Sequence, residues 1–191
     1  MKKVIIALCM LLTGAVASYA QEGQMAVGIN LGVAPCLETG GPTNFGLGAK
    51  FQYNVTDPIR VEANLEYWFK AKEVSVFDVY ANIHYLIPIA DKFKLYPLAG
   101  IGYANLHMST PKIEIPDIPN IPGIPGLDLD DILGELEDVD DSANASRFLF
   151  NIGVGAEYDI TDNLTANFEF YYQYMKDFNR LPIKLGIAYK F

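Results

Sequence analysis

The chain has 191 residues, of which 51% are hydrophobic, 13% aromatic and only 19% charged, with 23 acids against 14 bases. A net charge of −9 argues against a nucleic-acid partner, since binding phosphates needs concentrated Lys and Arg. Two cysteines support neither a disulfide scaffold nor a four-ligand zinc site. No apolar run of about 18 residues follows the N-terminal stretch, so helical membrane spans are not expected.

In chain order, Met1-Lys2-Lys3 is a basic start and Val4 to Val16 a nearly unbroken apolar run. Ser18-Tyr19-Ala20 then places small residues on both sides of Tyr19, ahead of a cut before Gln21. This is the pattern of a secretory signal peptide over 1–20, too short to span a bilayer. The mature chain 21–191 retains one thiol, Cys36, with no partner in its own chain.

From residue 25 the dominant signal is period two, which sends successive strand side chains to opposite faces. In 25–34, Met25, Val27, Ile29, Leu31 and Val33 alternate with Ala, Gly and Asn. The pattern recurs in 44–53, 60–69, 77–85, 94–106, 147–160, 164–174 and 183–191, giving eight strands. The fifth is less clean, because Leu98 falls on the face of Gly100 and Gly102. A soluble β-sandwich also alternates, but its polar face would be rich in solvated Lys and Glu rather than Gly, Ala and Asn. Strands of about 10 residues also match a tilted bilayer crossing better than the usual soluble length of about 5–6.

Short joints at 54–58, 87–92 and 161–163 alternate with longer ones at 35–43, 70–73, 107–146 and 175–180. Tight turns at one rim and variable loops at the other predict an all-β, eight-stranded antiparallel up-and-down transmembrane barrel. The polar parity then lines the lumen with Lys50, Arg60, Glu62, Glu66, Asp78, His84, Arg147, Glu157, Glu169, Lys184 and Lys190. Such groups stay inside only when paired or hydrated, so they are read as a network that staples the strands. A turn centred on Thr56 would set Lys50 opposite Glu62 and Gln52 opposite Arg60. His84 is read as a hydrogen-bonded member of this network, and no metal or cofactor is expected. Trp68 shares the lumen parity, and the sequence offers no reason for it.

The whole mature chain resembles the small outer-membrane barrels of the OmpX/OmpA transmembrane type, often labelled porin-like. The most specific match is the last strand, where Ile183, Leu185, Ile187, Tyr189 and Phe191 alternate to a terminal aromatic. It is similar to the signal that the barrel-assembly machinery recognises. The resemblance implies residence in a Gram-negative outer membrane, among lipid and lipopolysaccharide, after delivery by periplasmic chaperones. A monomer is expected.

Loop 107–146 is the individual feature, with ten acids against the single base Lys112. Its Ile-Pro pairs at 115–125 repeat at period three, as in a polyproline II helix. Leu129, Ile132, Leu133 and Leu136 recur at helical spacing. The loop could shield the surface or offer an extracellular partner a binding face. Its acids lack EF-hand spacing. The expected role is therefore non-enzymatic, structural or interactive. The alternatives are a narrow ion-conducting porin and, more remotely, a lipid A esterase built on His107 and Ser109.

Overall fold

The computed structural model describes residues 22–108 and 143–191. The expected signal peptide, the proline repeat, the helical stretch and Ser109 all lie outside the described residues.

The alternating segments form β1 (Met25–Pro35), β2 (Thr43–Asn54), β3 (Ile59–Ala71), β4 (Val74–Tyr85), β5 (Ile87–Ala90), β6 (Phe93–Met108), β7 (Ala143–Asp159), β8 (Leu164–Met175) and β9 (Ile183–Lys190). Consecutive strands pair antiparallel except β4 with β5, and β1 also pairs with β9. Pairing of β4 with β6 closes the ring. The short β5 prolongs the line of β4 past Leu86 and pairs with the same β6, so the wall is eight strands around. Phe191 exchanges backbone hydrogen bonds with Met25, sealing the seam between the first and last strands. A closed wall leaves no free edge, which is the only way a sheet can sit in hydrocarbon.

The two faces are inverted relative to a soluble protein. Ile101 is 70% exposed and Phe148 83% exposed on the outside, whereas Asn82, Glu62 and Glu169 are fully buried inside. An unbroken apolar outer face over a polar interior is stable in lipid and would aggregate in water. At the rim carrying the longer loops, Phe45 stacks on Phe69 (centroids 5.9 Å apart), and Tyr103 meets Phe148 edge-on at 5.6 Å. At the opposite rim, which carries the short turns, Tyr53, Tyr158, Tyr189 and Phe191 face outward.

Local chemistry moves three boundaries from where the sequence suggested them. At the β2–β3 turn, Val55 N and Thr56 N both donate to Ile59 O, at 2.9 and 3.2 Å. That shared acceptor goes with a turn centred on Asp57 rather than Thr56, so Asn54 faces Arg60, Gln52 faces Glu62, and Lys50 faces Asn64. The register is two residues from the one a turn centred on Thr56 implies. In 87–92, Ile87–Ala90 is strand rather than turn, with a register shift between Pro88 and Ala90. Pro cannot donate to a ladder, and an irregularity is where a strand tolerates it. The 70–73 joint narrows to a two-residue turn at Lys72 and Glu73, both with positive φ, which suits the twist of the flanking strands.

Candidate functional site

The lumen is built from inward parity, with large residues set against small ones. Trp68 lies opposite Gly46, Tyr80 opposite Gly102, Tyr96 opposite Gly155 and Tyr171 opposite Gly153. A Cβ at Gly46 would overlap the indole of Trp68. The inward glycines therefore make room for aromatics that fill the interior. Near the loop rim, Trp68, Val76, Tyr80, Leu106, Leu149, Met175 and Phe178 form one apolar layer. Leu86, Tyr96, Leu98 and Tyr171 form a second, which accounts for the parity of Leu98.

Between these layers the charges pair. Toward the turn rim, Arg60 binds Glu157 with both guanidinium nitrogens, at 2.5 and 3.2 Å. Lys94 adds contacts of 3.4 Å to Glu157 and 3.3 Å to Asp159, and Lys190 reaches Asp159 at 2.8 Å. Deeper in, Lys184 bridges Glu66 at 2.8 Å and Glu169 at 3.1 Å, and donates to Tyr80 Oη at 2.7 Å. Tyr96 donates to Glu169, and Gln52 and Asn64 donate to Glu62. Arg60–Glu157 and Lys184–Glu66 join strands distant in sequence, whereas Gln52–Glu62 joins consecutive strands and Asn64–Glu62 lies within β3, so the interactions run across the barrel as well as along its wall.

Lys50 and Glu62 approach only diagonally, at 3.8 Å. The close hydrogen bond of Lys50 goes to Asn167 on β8, at 2.5 Å. Arg147 departs from the expected network: it is only half-buried and donates to the Ser146 carbonyl at 3.1 Å. His84 departs as well. It is fully buried and stacked on Tyr96, yet neither ring nitrogen has a hydrogen bond.

Arg180, from the loop before β9, was not singled out by sequence because a loop residue carries no periodicity. It is fully buried, with Nη2 2.5 Å from Asp78 Oδ2 and a hydrogen bond to Gln173. Its guanidinium carbon lies 5.1 Å from the Trp68 ring centroid and 5.7 Å from that of Phe178. Trp68 Nε1 donates to the same Asp78 oxygen at 2.8 Å. The segment before β9 thus turns inward and caps the lumen beneath the loop rim. His107 stands outside this arrangement, exposed, with Nδ1 2.8 Å from Asn144 Oδ1.

A closed wall, an apolar exterior and a packed polar interior define a transmembrane β-barrel of the outer-membrane kind. The family profile for the outer membrane protein beta-barrel domain matches residues 5–191, and the chain belongs to that family. It resides in the outer membrane. Among solved structures, Neisserial surface protein A shares the fold at a TM-score of 0.61 and 13% identity, covering 91% of this chain and 100% of that one. The attachment invasion locus protein Ail of Yersinia pestis follows the same path at a TM-score of 0.55 and 16% identity, covering 89% and 99%. The N-terminal β-barrel domain of Pseudomonas aeruginosa OprF does so at a TM-score of 0.51 and 18% identity, covering 89% and 100%. No curated protein matches the chain by sequence.

Proposed function

We propose that this protein is a closed, non-conducting barrel that holds loop 107–146 at the surface of a Gram-negative cell. The observation that carries the reading is the filled lumen, where, among the described residues, aromatic-over-glycine packing, the crossing ion pairs and the Arg180 cap occupy the interior that a continuous water path would need. A narrow porin needs such a path. Residues 1–20 export the chain, and periplasmic chaperones deliver it. Ile183, Leu185, Ile187, Tyr189 and Phe191 present the terminal pattern to the barrel-assembly machinery. The closed monomer then sits among lipid and lipopolysaccharide, and the acidic loop shields the surface or binds an extracellular partner. Its fold is shared with Ail, the attachment invasion locus protein of Yersinia pestis, and that name supports an interactive rather than enzymatic role.

An epitope inserted after Leu127 tests the display reading. Antibody should label intact cells as strongly as permeabilised ones. Labelling only after the outer membrane is opened would contradict it.

A further inference from the structure

We propose that Glu62, His84 and Glu169 form a site inside the barrel for one transition-metal dication of the zinc type. The three residues come from β3, β4 and β8, so a single ion would tie adjacent strands to the opposite wall. One ligand atom of each lies within 4.8 Å of the others. All three side chains are fully buried.

The independent sign is the imidazole. A buried polar group is normally hydrogen-bonded, yet both nitrogens of His84 lack a partner. The ring is held flat against Tyr96, with centroids 4.6 Å apart and planes 17° apart. Its Nε2 is 3.9 Å from Glu62 Oε1. That is too long for a hydrogen bond, but two metal–ligand bonds of about 2.0–2.2 Å each would bridge it. The carboxylates are already oriented from outside the cluster, as metal ligands usually are. Asn64 donates to Glu62 Oε1 at 2.8 Å, and Tyr96 donates to Glu169 Oε1 at 3.0 Å. One imidazole with two carboxylates suits zinc and its neighbours better than magnesium or calcium.

Two ammonium groups compete with the ion. Lys184 lies 3.1 Å from Glu169 Oε2, and Lys50 lies 3.8 Å from Glu62 Oε2. The close hydrogen bond of Lys50 goes to Asn167; both Glu62 oxygens accept from Gln52 and Asn64, whereas Glu169 Oε2 accepts no hydrogen bond. Toward the turn rim, a cavity of about 10 Å³ is lined by Gln52, Arg60 and Glu157 among others, and not by the three ligands themselves. That is close to the volume of one water-sized sphere.

The test uses the full mature chain refolded in detergent, titrated with Zn²⁺ by calorimetry and with Co²⁺ by visible absorption. One ion per chain is expected. His84→Gln should weaken binding at least ~100-fold, beyond the ~10–100-fold typical of losing an outer partner. His84→Cys should keep binding and add a thiolate-to-cobalt absorption band. Glu169→Gln serves as the second ligand variant should His84→Gln not refold, and it should weaken binding likewise. Lys50→Gln should bind more tightly. Equal uptake by the wild type and both ligand variants would assign the metal to the acidic loop and overturn the proposal. Absence of saturable one-to-one uptake would also overturn it.

Discussion

Trp68 occupies a lumen position where strand alternation leads one to expect a small or polar side chain, and Arg180 is what stabilises the indole there. The guanidinium covers the ring and neutralises Asp78, which in turn accepts the indole N–H. Removing one member of a fully buried pair leaves an uncompensated charge. Arg180→Met should therefore lower the unfolding free energy by about 3–5 kcal/mol, read from urea unfolding in micelles. Adding Asp78→Leu should return part of that loss, whereas additive losses would show that the two residues act separately. Most of the inward charges were legible from parity alone, because a strand tells inside from outside at every second residue. Arg180 was not, since it lies in a loop. Lys94 was missed because Tyr96 and Leu98 share its face and blur the polar signal. The missing hydrogen bonds of His84 were also illegible, since partners across a lumen depend on register.

Among the elements, the turns determine what the strands alone leave open. Val55-Thr56-Asp57-Pro58-Ile59 and Ile160-Thr161-Asp162-Asn163-Leu164 share one arrangement. In each, the first two residues donate to the carbonyl of the fifth. Strand existence and facing were readable because period two persists over a dozen residues. Register was not, since moving a turn's centre by one residue shifts every cross-strand partner by two while leaving the facing unchanged. The glycines belong to the same scale. Gly46 lies beneath the Trp68 ring, and an added methyl would force the indole out of its place. Overpacking of this kind typically costs about 1–3 kcal/mol. Gly46→Ala should destabilise the refolded barrel by that amount in urea. An unchanged midpoint would mean that the loop-rim layer is loose enough to accommodate the methyl.

At the scale of the whole molecule, the decisive property is that closure and facing agree. The ring closes through β1–β9 and β4–β6, the apolar parity faces lipid, and the inward parity fills the interior. The architecture was readable because eight alternating segments with tight and long joints in turn admit few other topologies. The filling was only half readable: composition indicated a crowded lumen, but not that the segment before β9 would fold in as a cap. The most direct measurement is single-channel conductance in planar bilayers, comparing the refolded mature chain with a variant whose residues 110–145 are replaced by a short Gly-containing turn. Both proteins should insert without discrete, ohmic current steps if, as proposed, the side chains inside the barrel are what block it. Stable steps in the full chain would contradict a filled lumen, and steps only in the shortened variant would move the block to the loop.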